Sequence, residues 1–251
     1  HDAVIERNDS GSDGGGISVA QGALLQVTGS SFVSNTARRG AGIYVEEGAL
    51  EVRASSFVGG KARTHGGGIA FLSSHGSTTS MTVDNATFHH NEANNRGQAL
   101  YNAYGEGTVR NSLFTGHPSD LPVLYDYNAD TVVERAGFWG NAGDDFRDGY
   151  YIDAVRGDPR YLEADEASPA WSWDLHLLPG PPYIVAGVTG LSDPGGTRSD
   201  IGAHGGPWAA ADASWTHAWD SDLDGLPDGW EERAGTTRWV PDAASALDGA
   251  G

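Results

Sequence analysis

Two short motifs recur together about every 25 residues, and this period constrains the fold more than any other feature of the chain. In the first motif, glycines precede an aliphatic residue. In the second, a hydrophobic residue is followed three places later by Asn in four of six cases. The first ladder comprises Ile17, Ile43, Ile69, Leu100 and Leu124, and the second comprises Ile5, Phe32, Phe57, Phe88, Phe114 and Phe138. A fixed period of this length indicates stacked repeats, each of which buries its apolar face against the next.

The spacings within the two ladders agree with each other. Steps of 26, 26, 31 and 24 residues separate the members of the first ladder, and steps of 27, 25, 31, 26 and 24 separate those of the second. The two long steps overlap only between Ile69 and Phe88, where a polar run occupies residues 73–80. We therefore predict a loop insertion of about five residues in one repeat, with no change in the neighbouring repeats.

Short runs of β-forming residues, separated by Gly, Asn and Ser, predict strands of about three to five residues joined by tight turns. Strands that recur at this period pair in parallel with their counterparts one repeat on, about 4.8 Å away. We predict an all-β fold, a right-handed parallel β-helix, with the hand taken by analogy with coils of this length. Asn at the turn is expected to adopt the left-handed backbone conformation and to hydrogen-bond to the Asn of the next repeat.

The paired motifs, glycines before an aliphatic residue and Phe-x-x-Asn, resemble the repeat signature of chlamydial polymorphic membrane proteins, which is shared by many bacterial right-handed β-helix proteins. The resemblance covers about residues 1–146 and departs from the pattern at Gly60, Gln98 and His117. Residues 174–187 with 199–206 are similar to the closing segment of bacterial surface β-helix proteins that carry interchangeable C-terminal anchors. That likeness implies a final, irregular coil. We divide the β-helix of residues 1–206 into regular coils (1–146) and irregular closing coils (147–206).

The composition is typical of an exported protein. The chain has no Cys, so it contains neither a disulfide nor a Cys-based zinc site. Its net charge is −19 and Lys61 is its one lysine, which argues against nucleic acid or an anionic membrane as a partner and favours cations. No apolar run reaches the roughly 18 residues of a transmembrane helix, and no signal peptide is visible. We expect an extracellular or cell-surface location in a bacterium.

The C-terminal part of the chain has a different character. Residues 207–219 are interpreted as a linker that contains Trp residues, and residues 220–251 as a calcium-binding repeat that is truncated. The sequence Pro-Asp-Gly-Trp-Glu at 227–231 resembles calcium-binding repeats related to thrombospondin type 3 modules, which follow many bacterial surface domains.

An acidic loop in this repeat has the spacing of a calcium site. Counted from its first Asp, carboxylates stand at positions 1, 3, 5, 9 and 12, and Gly225 at position 6 permits the sharp bend. Ca²⁺ requires six to eight oxygen ligands, and a backbone carbonyl at position 7 adds one. The predicted Ca²⁺ ligands are Asp220, Asp222, Asp224, Leu226, Asp228 and Glu231.

Candidates for catalysis form a weaker set. Parallel β-helices often carry polysaccharide lyases and glycosidases, in which carboxylates and an Arg or Lys gather on one outer sheet. The best match lies within residues 143–158, and its candidates are Asp144, Asp145, Arg147, Asp148, Asp153 and Arg156. Its Gly-Asp-Asp is similar to that of polygalacturonases, whereas their Gly-His-Gly and Arg-x-Lys do not occur. The alternative is an acidic loop that packs where the regular coils end.

An outward column of residues offers a candidate sugar platform. The residue after each aliphatic of the first ladder faces out when its predecessor faces in, so Tyr101 and Tyr125 are predicted to lie one coil apart, close enough to stack. Neighbouring Asn102, Tyr104 and Asp126 would supply hydrogen-bonding groups. Stacked tyrosines also stabilise a parallel ladder without any ligand. The candidate glycan-binding residues are Tyr44, Tyr101, Tyr125 and Tyr127.

We interpret the chain as an extracellular, Ca²⁺-stabilised β-helix that acts in adhesion or structural display at a bacterial surface, with a polysaccharide or cell-surface glycan as a candidate partner. Two alternatives stay open: a polysaccharide lyase or glycoside hydrolase, and a self-assembling filament subunit. Residues 5–8 already occupy the second-ladder strand of a coil whose first half is missing. Either further coils or another protein chain are therefore expected to cover the open N-terminal edge.

Overall fold

The regular elements of the protein are almost all β-strands. The structure is a computed structural model and describes residues 2–76, 79–164, 168–178 and 182–209. Within these residues the one helical element is a single 3-10 turn at Ala170–Ser172. The predicted all-β class is confirmed.

The strands are short, and most have three to five residues. In chain order they are β1 (Val4–Glu6), β2 (Ile17–Val19), β3 (Leu24–Thr28), β4 (Ser31–Val33), β5 (Thr36–Arg39), β6 (Ile43–Glu46), β7 (Ala49–Val58), β8 (Lys61–His65), β9 (Ile69–Leu72), β10 (Ser80–His89), β11 (Glu92–Ala93), β12 (Leu100–Ala103), β13 (Glu106–Arg110), β14 (Leu113–Thr115), β15 (Leu124–Tyr127), β16 (Asp130–Glu134), β17 (Gly137–Trp139), β18 (Phe146–Arg147), β19 (Tyr150–Ile152), β20 (Val155–Arg156), β21 (Tyr161–Glu163) and β22 (Asp174–Leu177).

Parallel pairing between strands one period apart organises the described chain. One sheet has 11 strands and contains the path β1-β4-β7-β10-β13-β16-β19, a second has the order β18-β15-β12-β9-β6-β2, and a third has the order β11-β8-β5. The ladders in these three sheets are parallel, whereas β21 and β22 form an antiparallel pair. The chain therefore visits each of the three sheets in turn and returns to the first.

The register of these ladders is that of the sequence period. Ile17 pairs with Ile43, Ile43 with Ile69, and the column continues through Leu100 to Leu124. Residues 73–76 and 79 lie between β9 and β10, and the pairings on both sides of them keep the column intact. The predicted insertion thus lies where the two long steps overlap.

A column of stacked phenylalanines runs through the core. The ring centroids of Phe32, Phe57, Phe88, Phe114 and Phe138 are separated in turn by 4.8, 4.8, 4.9 and 5.3 Å, with interplanar angles of 14° or less. These five rings, the Phe column, are at most 2 % exposed. Stacked aromatic pairs contribute about 0.5–1.5 kcal/mol each beyond the burial of their surface. The column therefore stabilises the in-register stacking of each repeat on the next.

The Asn of the second motif joins its repeat to the preceding one. Asn91 Oδ1 accepts the backbone N–H of Gly60 at 2.9 Å, and its Nδ2 donates to the Phe57 carbonyl at 2.8 Å. Asn35 makes the equivalent bonds to Asn8 and Ile5. The Asn8 side chain also donates to Asn35 Oδ1 at 3.0 Å, which is the predicted bond between neighbouring Asn residues. An amide side chain suits this position because it can accept and donate at once.

The prediction that Asn itself takes the left-handed conformation is wrong. The residue before it has the positive φ, for example 52° at Ser34, 54° at His90 and 65° at Gly140. This arrangement leaves the Asn side chain directed along the stack, where it reaches the preceding repeat. The left-handed corner and the hydrogen-bonding amide are therefore two adjacent positions.

The three departures from the repeat pattern have local reasons. At Gly60, an added Cβ would lie 2.2 Å from the Gly67 carbonyl oxygen, so no side chain fits. At His117, Nδ1 takes the place of the amide and lies 3.1 Å from the Asn91 nitrogen and 2.9 Å from the Asn91 carbonyl oxygen. Gln98 is buried, and its amide bonds to the backbone of Ser119 and Leu121.

The closing part of the chain divides into two stretches. Within the predicted irregular coils of residues 147–206, β18, β19 and β20 still pair in parallel with β15, β16 and β17. Residues 158–209, as far as the structure describes them, form the closing segment. It returns along the outside of the sheets, so that Tyr183 packs on Leu113 and Leu175 packs on Val33 and Val58. Its contacts hold an irregular chain against the regular repeats.

The N-terminal strands lie at sheet edges. Among the described residues, β1, β2 and β3 each have one partner, which belongs to the following repeat. The side chains of Val4 and Leu24 are 68 % and 55 % exposed there. As for helices, none in the described residues is long and apolar enough to cross a membrane.

Replacing Asn91 by Ala tests the inter-repeat bond. Asn91→Ala removes one bond to the Phe57 carbonyl and leaves the buried Gly60 N–H without its partner, so we expect the free energy of unfolding to fall by about 1–3 kcal/mol. Urea unfolding followed by circular dichroism measures this change. The control is Asn94→Ala, at an exposed position just after β11, which should change stability by less than about 0.5 kcal/mol. Equal stabilities of the two variants would contradict the role assigned to Asn91.

Candidate functional site

The tyrosines of the predicted platform are aligned on neighbouring strands, but most of the column is covered by other side chains. Tyr101 and Tyr125 are paired across β12 and β15, and their ring centroids are 6.1 Å apart with an interplanar angle of 32°. Tyr44 continues the column through Ala70. However, Tyr44 and Tyr101 are only 3 % and 5 % exposed, while Tyr127 is 37 % exposed. A sugar ring therefore has access to the Tyr125–Tyr127 end and not to the whole column.

Cationic and imidazole side chains cover the buried end of the column. Arg39 lies over the Tyr44 ring at 4.7 Å, and His65 stacks on Tyr101 with ring centroids 4.5 Å apart. Arg96 lies 5.0 Å from the rings of both Tyr125 and Tyr127. Burial and the neighbouring Arg96 lower the pKa of His65 to about 4, so the stacked imidazole is neutral at pH 7. These contacts stabilise the outer face of the sheet by cation–π and ring stacking.

Two of the polar groups expected beside the platform face the interior instead. Asn102 and Asp126 are paired with each other across β12 and β15 and are at most 1 % exposed. Asp126 accepts the Thr131 N–H at 2.8 Å and its hydroxyl at 2.7 Å, while Asn102 Nδ2 donates to the same hydroxyl oxygen at 2.9 Å. Burial raises the pKa of Asp126 to about 6. The expectation that these two side chains would help to hold a sugar is wrong, because the alternation of the strand turns them inward.

The predicted catalytic cluster is dispersed. Asp148 and Asp153 occupy two different left-handed corners of the last parallel repeat, with φ of 64° and 53°. Asp153 pairs with Arg135 at 3.4 Å, and Asp148 lies 3.9 Å from Arg147. The Asp144 and Asp145 carbonyls accept backbone bonds from the preceding repeat at Val123 and Leu124. Asp145, Asp148 and Asp153 therefore each lie next to a different arginine.

One part of this stretch closes the end of the core. Arg156 pairs with Asp145 and lies 5.8 Å from the ring of Phe138, the last member of the Phe column. Tyr151 meets the same ring edge-on, with centroids 5.9 Å apart. The Asp145 hydrogen bond raises the pKa of Arg156, so the guanidinium stays charged. This arrangement matches the alternative interpretation, an acidic loop packed where the regular coils end.

A cleft beneath the closing segment was not predicted from the sequence. The strand alternation that places the tyrosine column, applied to the second ladder, puts Val33, Val58, His89, Thr115 and Trp139 in another outward column. The closing segment crosses this column near His89, where Tyr161 and Trp173 pack edge-on against the imidazole. Thr115 Oγ1 lies 2.8 Å from both His89 Nδ1 and the Tyr161 hydroxyl. The repeat pattern could therefore have predicted the outward column that forms the floor of this cleft, but not the closing segment that covers it.

The predicted calcium ligands, Asp220, Asp222, Asp224, Leu226, Asp228 and Glu231, lie outside the described residues. Within the residues that the structure describes, no group of three or more His, Asp or Glu side chains could hold a metal ion. The calcium assignment thus stays a prediction from sequence spacing.

Comparisons with known proteins yield no relative for this chain. No family model, no curated protein and no solved structure matches it.

Three histidines, of which His89 and His117 are buried and His65 is partly buried, should make the fold sensitive to acid. Burial lowers the pKa of His65 and His89 to about 4 and that of His117 to about 3, against about 6.5 in an unfolded chain. As the pH falls below about 6.5, these histidines bind protons in the unfolded state but not in the folded state. The free energy of unfolding therefore falls between about pH 6.5 and 4. Asp126, whose pKa is raised, opposes this change below about pH 6.

His117→Asn isolates one contribution to this acid sensitivity. The Asn restores the repeat residue and removes the ionisable group, so the free energy of unfolding should fall less steeply between pH 7 and 5 than in the wild type. Urea titrations at several pH values measure the slope. The exposed His75→Asn serves as control and should keep the wild-type slope. Identical slopes in all three proteins would rule out His117 as a source of the acid sensitivity.

Proposed function

We propose that the chain is a right-handed parallel β-helix that acts in adhesion or structural display at a bacterial cell surface. The in-register parallel ladders, the sequence period and the Phe column support the coiled architecture. A stack of this kind presents an extended side surface while each repeat needs contact only with its neighbours. Such a surface suits adhesion or display.

The main support for the proposal comes from the ion pairs of the acidic cluster within residues 143–158. Asp145 is paired with Arg156 over the end of the Phe column, and Asp153 is paired with Arg135 at a corner. These carboxylates have structural partners and different locations, whereas a lyase or glycosidase needs charged groups that converge on one substrate. Binding without chemistry therefore fits these residues better than catalysis.

The charge and the C-terminal loop favour an exported, calcium-rich setting. A net charge of −19 keeps the protein soluble and draws cations, and Ca²⁺ is abundant outside cells. The spacing of Asp220, Asp222, Asp224, Asp228 and Glu231 suits that ion. We extend the proposal to a Ca²⁺-binding module that follows the β-helix.

Incubation with polysaccharides tests the proposal against catalysis. Purified protein mixed with a panel of acidic and neutral polysaccharides should release neither reducing ends nor unsaturated products that absorb in the ultraviolet. Release of either product would establish a lyase or hydrolase and overturn the assignment to adhesion or display. If activity appeared, Asp145→Ala and Asp148→Ala would then show whether it resides at the predicted cluster.

Calcium binding is tested by calorimetric titration. We expect at least one Ca²⁺ site in the wild type and its loss in the double variant Asp222→Ala, Asp224→Ala, because two carboxylate ligands disappear. At a Ca²⁺ concentration of 100 times the Kd, the site would stabilise its own module by about 2.7 kcal/mol. The control is Asp144→Ala with Asp148→Ala, which removes the same charge elsewhere. An unchanged isotherm in the first double variant would refute the assignment.

A further inference from the structure

The cleft beside the closing segment contains a cavity of about 420 Å³. This volume is in the range of small-molecule sites. Its floor comes from the outward side of β14 and β17, and its opposite wall comes from residues 158–164 of the closing segment. Gly116 keeps the floor open, since a Cβ there would lie 3.0 Å from His89 Cε1. The cavity is therefore built from two parts of the chain that are distant in sequence.

An exposed aromatic ring and a cation border this cavity. Trp139 lines it and is 46 % exposed, so nearly half of this aromatic residue is accessible to solvent. Arg160 lines it as well, and among the described residues no carboxylate forms an ion pair with its guanidinium. Asp158 Oδ1 accepts the Arg160 backbone N–H at 2.8 Å, which orders the backbone that carries both side chains. A cation in this setting is notable in a protein with a net charge of −19.

A buried histidine adds a polar group with unused hydrogen-bonding capacity. His89 is 7 % exposed, and its Nδ1 is held by the chain of hydroxyls from Thr115 and Tyr161. Within the described part of the chain its Nε2 has no hydrogen-bond partner. Burial and the neighbouring His90 keep the pKa of His89 low, at about 4, so the ring is neutral at pH 7. A neutral imidazole can donate to or accept from an uncharged hydroxyl.

We propose that this cleft binds one carboxylate-bearing sugar unit of a surface polysaccharide, with the sugar ring on Trp139 and its carboxylate on Arg160. Sugar rings present C–H faces that pack on an indole, and a guanidinium forms bidentate bonds to a carboxylate. Asp158 accepts a sugar hydroxyl. The proposal supplies a ligand class for the adhesive role and in that respect rests on it.

The charges that line the cavity favour a sugar with one carboxylate over a neutral sugar and over a ligand with several charges close together. A neutral sugar would offer no anion to the Arg160 guanidinium, for which the described residues provide no ion-pair partner. A ligand with several charges close together, such as a polyphosphate, would bring more than one negative charge to a cavity whose lining contains one Arg and also Asp158. A sugar with one carboxylate per ring offers Arg160 an anion and brings no second charge close to Asp158.

Titration with tetragalacturonate, and in parallel with a neutral tetrasaccharide of galactose, tests the proposal by calorimetry. We expect the wild type to bind the acidic oligomer at least about tenfold more tightly than the neutral one. Trp139→Ala and Arg160→Gln should each weaken binding of the acidic oligomer at least about tenfold. The matched controls are Trp171→Ala and Arg63→Gln, at an exposed Trp and an exposed Arg outside this cleft, and both should leave binding unchanged.

Urea midpoints equal to the wild type would show that the variants are folded. Wild-type binding that survives in both Trp139→Ala and Arg160→Gln would place the site elsewhere and overturn this inference, although an adhesive role for the protein would stand. Equal binding of the neutral oligomer would overturn the ligand class. Binding of neither oligomer would overturn the inference as well, whereas the display role is tested separately by the absence of released products.

Discussion

In-register parallel pairing is the constraint on which the rest of the structure depends. Each repeat must present its inward residue at the position of the one before it, so every repeat must also turn at the same places. Ala54, inside β7, occupies the same bend as Asn111 and Arg135, which lie between strands; their φ values are 44°, 49° and 52°. A left-handed backbone costs a residue with a side chain roughly 1–2 kcal/mol. The ladder bonds and the Phe column on both sides of the bend offset this cost.

The sequence predicted the features that repeat and missed those that do not. Ile43 and Ile69, or Phe57 and Phe88, can be aligned because a stacked repeat requires the same residue type at the same position. The corners were less predictable, since tertiary pairing imposes the left-handed conformation on residues as unlike as Ala54 and Arg135. Propensity is local, whereas the register that overrides it is set by residues one repeat away.

The candidate sites show the same division. The spacing of Tyr101 and Tyr125 was predicted, but the burial of Tyr101 was not, because it results in part from His65, which stacks on its ring from the neighbouring sheet. The cleft beneath the closing segment could not be predicted from the sequence, for a further reason. Its wall at Tyr161 meets Thr115 across a sequence separation of 46, and the closing segment has no repeat from which to infer its path.

The regular repeats also explain why an irregular segment can form a defined cleft. The bend residues Asn85 and Asn111 direct their side chains outward: Asn85 Nδ2 donates to the Asp200 carbonyl at 2.8 Å, and Asn111 Oδ1 accepts the Val188 N–H at 2.7 Å. The preceding repeat has Ala54 at this bend, which offers no such bond. The closing segment is thus fixed at the two repeats whose bend residues carry an amide. The wall of the cleft has its own bond to the regular repeats, between the Tyr161 hydroxyl and Thr115 Oγ1 at 2.8 Å. A preorganised wall of this kind lowers the entropic cost of binding a ligand.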